Sequence, residues 1–381
     1  MCCLYGTTGV ILTFLPRWLA GERGLGGAEI GAVLALAQCS RIVIGPAIAF
    51  WADGAADRRA PMRILALAAV ASYAAFFFLA HDFPSLLFLG FLALSTTQAL
   101  TPLVEGALLR AAAEGRIGYG VGRGFGSISF IIANIGGGLL VLRFGLGAVV
   151  VWVLGALTAT ALSSLFALRR DAPLVHAHTM TREARVSAVR ALLRNRRYLI
   201  LIVACGLIQA SHAFYYGFST LVWRGQGIPA DVVGVLWGFG VAIEVVFLWS
   251  WPFLERRISP EMLIMAGAAG GVVRWTALGL APAGLVLWPL QALHALSFAS
   301  AHIGAMRLLF RETPDNAGAM AQTLYATLSS GVLLGGSTLL SGFLYDRAGA
   351  MGYWAMALEA GLGGLIALGL FAPRTRATAP G

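Results

Sequence analysis

The chain contains no lysine. All 27 of its basic residues are arginine, set against 17 acidic ones, and charged residues make up only 12% of the 381. A soluble domain carries about 25% charged residues, so a solvated globular surface is excluded. Cysteine is scarce too. Cys2, Cys3, Cys39 and Cys205 lie in or beside apolar segments without metal-ligand spacing, so neither a disulfide framework nor a metal site is expected. The Met-Cys-Cys start lacks the basic region and cleavage site of a signal peptide, and an apolar stretch begins almost at once, which leaves room for a start further upstream. There is no phosphate loop and no nucleophile–base spacing to support catalysis, and no loop long enough to form a sensing domain. A membrane-embedded enzyme or sensor is therefore the distant alternative, and no cofactor is expected.

What the chain has in abundance is apolar length. Hydrophobic residues make up 59%, and the mean hydropathy is +0.80. Apolar runs of about 19–27 residues recur, enough to cross a hydrocarbon core of about 30 Å. They predict helices at 2–20, 28–51, 62–80, 85–109, 119–142 and 147–168, then at 198–222, 231–254, 262–281, 284–308, 317–343 and 350–372. The expected fold is all-α, a polytopic membrane protein of twelve helices with the lipid bilayer as its solvent.

The arginines orient it. With the N-terminus inside, nineteen lie on the side of both termini and five on the other, which predicts cytoplasmic N- and C-termini in a bacterial inner membrane. A net charge of +10 spread over short loops does not suggest a nucleic-acid partner. Residues 169–197 form the one long loop, with eight arginines; part of it reads equally well as a helix along the membrane surface or as a solvated linker. The segments around it echo each other. Gly138-Leu139-Leu140-Val141-Leu142-Arg143-Phe144-Gly145 is matched by Gly342-Phe343-Leu344-Tyr345-Asp346-Arg347-Ala348-Gly349, and Pro46 and Pro252 each stand where a helix is expected to close. The expected domains are thus an N-terminal bundle at 1–168, the basic linker at 169–197 and a C-terminal bundle at 198–381, the arrangement of transporters that bind near midplane between halves.

Three arginines, Arg41, Arg123 and Arg274, fall inside predicted helices, where function is the default hypothesis. Glu105 lies nine residues before Glu114 in a tight turn, and Arg123 nine residues after it, so the hairpin sets acid and arginine opposite each other. That pair is either a polar site or a structural ion pair. Glu244 sits in mid-helix with no charge within ten residues, the setting of a proton carrier; a satisfied structural acid is the alternative. Arg274 is its partner or an anchor for a carboxylate, which a planar guanidinium binds bidentately. His212, Tyr215 and Tyr216 share a helix side and suit an aromatic ligand. His294 and His302 lie two turns apart on another helix, Glu359 is a weaker candidate, and Arg41 with Gln38 suits either an anion or packing between bundles. Trp237 and Trp275 read as packing residues first.

At this point the segments YGVGRGFGSISF (119–130), IQASHAFYYGFSTLVW (208–223), GVLWGFGVAIEVV (234–246), GGVVRW (270–275), LHALSFASAHIGAMR (293–307) and GFLYDRAG (342–349) resemble the major facilitator superfamily. Within it they look like the phenylpropionate permease branch, related to the lactose permease and other proton symporters. The resemblance implies that Glu105 and Arg123 match the acid and arginine that hold substrate in the lactose permease. It also implies that Arg274 and His294 match members of its coupling network. The carboxylate that releases the coupled proton in sugar symporters is replaced here by Ser297, and Glu244 stands about one turn from its counterpart, so sugar transport is not expected. The superfamily's loop between helices two and three suggests a cytoplasmic gate at Asp53, Arg58 and Arg59, although Gly54 stands where an arginine is usual.

The expectation is a secondary transporter working by alternating access as a monomer, carrying a small aromatic or related monocarboxylate inward with protons. Arg123, Glu105, Arg274, His212, Tyr215, Tyr216, Arg41 and Gln38 are the candidate substrate residues, and Glu244, Glu105, His294 and His302 the proton-coupling ones. The alternatives are uptake of a nucleoside or other neutral solute, or proton-driven efflux of a lipophilic compound.

Overall fold

The computed structural model describes residues 1–55, 57, 59–168, 182–313 and 317–372. Among the described residues there is no strand, and nearly every segment is a long helix. The helices start where the sequence supplies acceptors for their first amides. α1 (Cys2–Glu22) and α2 (Gly27–Gly54) are joined by a short turn at Gly24, and α3 (Arg59–Leu79) follows. Asp82 accepts from the amide of Ser85 at 3.1 Å and opens α4 (Phe83–Ala113), with Pro84 in the first turn, where its missing N–H costs nothing. The bonds from Ser85 hold the Asp82 carboxyl below its ordinary range. α5 (Tyr119–Phe144) and α6 (Gly147–Phe166) complete the first part.

Beyond the basic stretch, α7 (Arg182–Arg194) leads to α8 (Arg196–Ala210), whose cap Asn195 accepts from the amides of Arg197 and Tyr198 at 3.0 and 3.2 Å. Then come α9 (Ala213–Gly225), α10 (Ala230–Leu254) and α11 (Pro260–Gly279), the last capped by Ser259. α12 (Leu287–His294) and α13 (Ala301–Glu312) form one rod, joined through a wider π-helical stretch at Ala295–Ser300. α14 (Gly318–Ala326) and α15 (Leu334–Ala348) form another, through Thr327–Leu333, and α16 (Tyr353–Ala367) closes the series.

Two local expectations are corrected. The span expected at 198–222 is broken at Ser211-His212, where Ser211 turns its hydroxyl back to the carbonyl of Ile208 at 2.7 Å and accepts from the Trp275 indole at 3.0 Å. Pro46 does not close α2, which runs on to Gly54, whereas α10 ends at Leu254 as expected, two residues after Pro252. A proline near a helix C-terminus removes one bond, and the apolar length around it carries the helix past.

Among the described residues, ten segments are long and apolar enough to cross a membrane. The expected twelve differ at two places. Cys2–Glu22, with its threonines, glycines and Arg17, is not among the ten, and Met320–Phe371 is one run of 52 residues within which the chain turns at Gly349 (φ 52°). Large apolar side chains such as Phe253, Phe310 and Leu358 point outward, which suits lipid and not water. The protein is a multi-pass membrane protein.

α1 packs on α5 and α6, α3 on α4 and α6, and α2 on α4; separately, α8 and α11 pack on α16, and α11 on α13. These two sets meet where α5 lies against α10 and α2 against α15, with α1 touching α9. The echo in the sequence falls on this seam. A Cβ at Gly138 would sit 3.1 Å from the Cα of Asp231, and one at Gly342 3.1 Å from the Cα of Ala28, so only glycine lets the backbones close. Asp346 then accepts from the amides of Gly27 and Ala28 at 2.6 and 2.8 Å, and Thr220 donates to the carbonyl of Thr13 at 2.6 Å. One end of the seam is thereby fastened.

Candidate functional site

The hairpin Thr101–Phe130 brings together the pair that its spacing foretells. α4 ends at Ala113, Gly115 turns with φ 70°, and α5 returns from Tyr119. An Nη1 of Arg123 lies 2.6 Å from Oε1 of Glu105. Tyr5 on α1 joins them: its hydroxyl donates to Glu105, Arg123 donates to that hydroxyl, and the guanidinium lies 5.1 Å from the Tyr5 ring centre. The side chains of Arg123 and Glu105 keep 37% and 34% of their surface exposed. Tyr5 escaped the sequence reading because its helix carries no charge beside it.

A second cluster lies in the other set and is buried. Arg274 on α11 is fully enclosed. Its Nη1 donates to Nδ1 of His294 at 3.0 Å and to the Ser297 hydroxyl at 3.3 Å, and its Nη2 donates to Oε1 of Gln291 at 2.9 Å. Its guanidinium lies 4.5 Å from the Tyr215 ring centre and 4.6 Å from that of Trp275. Tyr215 donates to the same Gln291 oxygen at 3.0 Å and stacks on Trp237 at 4.4 Å. The far nitrogen of His294, Nε2, lies 3.2 Å from Oε2 of Glu244, whose side chain is 19% exposed. Glu244 and Arg274 are therefore joined through an imidazole.

Hydrogen-bond chemistry assigns the protons in this chain. A guanidinium only donates, so Nδ1 of His294 must accept and its Nε2–H must donate to Glu244. Ser297 accepts from Arg274 and donates to Nε2 of His212 at 3.2 Å, and Nδ1–H of His212 donates to the carbonyl of Gln209 at 3.2 Å. Both histidines are neutral in this arrangement. Ser297, which stands where sugar symporters carry an acid, belongs to the π-helical stretch Ala295–Ser300, and such stretches often occur at functional sites.

The remaining candidates separate. Tyr216 stacks with His212 at 5.7 Å. The rings of His294, Phe298 and His302 form a parallel ladder at 5.2 and 6.1 Å. His302 is exposed. Arg41 donates through Nε to Oε1 of Gln98 on α4 at 2.8 Å. Gln38, one turn earlier, faces α15 at Gly335. Glu359 stands apart from the network, accepting from Ser337 at 2.6 Å. Of the expected gate, Arg58 lies outside the described residues, as does the Asp53 side chain, and residues 169–181 of the basic linker lie outside them too. Arg59 holds Asp57 instead, with Nη2 to Oδ2 at 2.8 Å, and these bonds pull the Asp57 carboxyl down to about 2. Sequence reasoning missed Gln98 and Gln291 as well. A neutral amide carries no charge signal, although Gln291 sits three residues before His294 on one helix side.

A buried arginine–histidine–acid chain and a separate acid–arginine pair inside an apolar helical body are the equipment of a membrane transporter. Residues 3–356 match the model of the MFS_1 like family, and the chain belongs to it. It is 31% identical over 356 residues to the protein named "Probable 3-phenylpropionic acid transporter" of Escherichia coli (strain K12), covering 92% of this chain and 91% of that one. It is 25% identical over 342 residues to the maltose permease of Geobacillus stearothermophilus, covering 89% and 84%. Among solved structures, that of a mutant nucleoside transporter NupG superposes with a TM-score of 0.86 at 16% identity, over 97% of this chain and 98% of that one, a likeness of fold. The protein is a major facilitator superfamily transporter and not an enzyme.

Proposed function

We propose that this transporter carries a small aromatic monocarboxylate of the 3-phenylpropionate kind into the cell together with a proton. The observation that carries the reading is the Glu244–His294–Arg274 chain. While Arg274 donates to His294, that histidine has no free lone pair, so Glu244 is the one member able to take up a proton. Protonation removes the negative end of the chain and leaves the charge of Arg274 unanswered. An anion arriving there offsets positive charge and favours the proton on Glu244, and by reciprocity the proton favours the anion.

The aromatic surfaces of Tyr215, Tyr216, Trp237 and His212 suit a ring, and the E. coli relative's name points to the same chemical class. Residues 1–168 and 198–381 act as the two halves, joined by the basic linker 169–197 in a monomer. With cytoplasmic termini, the seam fastened by Asp346 is the outer one, so the site opens inward. Neutralising charge before closure matters because an unpaired charge opposes occlusion.

The test is uptake of labelled 3-phenylpropionate into proteoliposomes with and without an imposed pH gradient. Accumulation that depends on the gradient is expected, and Glu244→Gln should retain exchange while losing accumulation. Equilibration indifferent to the gradient would exclude proton coupling, and uphill uptake by Glu244→Gln would place the proton elsewhere. Uptake of nucleosides but not acids would select the neutral-solute alternative.

A further inference from the structure

We infer that Arg41, held by Gln98, is the anchor for the substrate's carboxylate, an assignment that rests on the cargo being a monocarboxylate. Of the three arginines expected inside helices, two are already engaged. Arg123 is bound to Glu105 and Tyr5. Arg274 is enclosed and donates to His294, Ser297 and Gln291. Arg41 has a single neutral partner among the described residues, the Oε1 of Gln98, and that bond uses only Nε. Its two Nη groups are left for an acceptor, and their fork matches both oxygens of a carboxylate.

The position suits a crevice wall. Arg41 is exposed, and its partner among the described residues is the neutral amide of Gln98, not an acid. Gln38 and Ile42, on either side of it, face α15 and the π-helical stretch Thr327–Leu333: a Cβ at Gly335 would lie 3.5 Å from Cβ of Gln38, and one at Gly331 2.8 Å from Ile42. Arg41 thus sits on the seam between the two sets of helices while its bond to Gln98 ties it to α4. The buried side-chain oxygen of Gln38 has no hydrogen-bond partner among the described residues, so polar bonding here is incomplete. An uncompensated guanidinium inside a membrane protein is costly and is kept where something negative visits it. Gln98 stabilises the guanidinium's orientation without cancelling its charge, which an acid in its place would do.

The experiment is exchange of labelled 3-phenylpropionate by the full chain in proteoliposomes, with the unlabelled acid or its neutral amide as competitor. The wild type should prefer the acid. Arg41→Gln should weaken competition by the acid about ten-fold or more, the effect of losing a charge-assisted bidentate bond, while competition by the amide stays put. Arg41→Lys should fall between, and Gln98→Leu should lose a few-fold. Unchanged acid preference in Arg41→Gln, or its loss in Arg123→Gln alone, would overturn the assignment. If the wild type exchanges no aromatic acid, the proposed cargo fails. Thermal stabilisation of wild type and Arg41→Lys by a panel of short monocarboxylates then decides the anchor: stabilisation absent from Arg41→Gln upholds it, and none in any form refutes it.

Discussion

The two acid–arginine arrangements in this protein use the same charges and differ in spacing and depth. Glu105 touches Arg123 directly at 2.6 Å, with about a third of each side chain exposed. Glu244 reaches Arg274 only through His294, and Arg274 is fully buried. A direct pair fastens two helices. A pair separated by an imidazole leaves the acid at the edge, apart from the arginine's other bonds. Depth then sets what each is worth, because solvent screens an exposed pair and cannot screen an enclosed one.

Removing Arg274 should break this comparison hardest. Arg274→Met leaves His294 and Ser297 without their donor and Gln291 with only that of Tyr215, and breaking a buried network in this way costs about 3–5 kcal/mol. A much lower denaturation midpoint in detergent and no exchange are expected, with much of the stability returning in Arg274→Met/Glu244→Gln. A single variant as stable as the wild type would mean that the chain is not coupled as described. Arg123→Gln should act more weakly: a half-exposed pair contributes about 0–1 kcal/mol, so the midpoint should barely move and acid affinity should hold, while turnover slows. The smallest effect sharpens the comparison from outside the membrane. Asp57 is depressed to about 2 by its bonds from Arg59, so its contribution is present above its ordinary value and is lost only as pH falls toward 2. Asp57→Asn should therefore leave the pH profile of transport between about pH 5 and 8 unchanged; a displaced profile would show that the coupling reaches beyond Glu244.

The hairpin pair was legible because its partners lie at equal distance from one turn. Depth in two antiparallel helices follows from counting residues. The deeper chain was legible only in its members. His294, Glu244 and Arg274 each announced themselves as charges in apolar helices, yet the order in which they connect was not visible. The π-helical stretch after His294 resets the register of its rod, so side-by-side positions cannot be extrapolated across it. The break at Ser211-His212 likewise turns α9 away from the line of α8, and a continuous apolar run gave no sign of it. Gln98 and Gln291 were missed because an amide contributes little to hydropathy and nothing to charge, and its value appears only with the arginine it meets.

The sequence by itself determined that this chain must live in a bilayer, that its arginines gather on one side, and that three of them stand where a bare charge is not tolerated. Tertiary structure decided which of those three is answered and which is left waiting. The reason is geometric: chain connectivity fixes neighbours within a helix or across one turn, whereas partners on α2 and α4, or on α10, α11 and α12, are set by how whole helices cross.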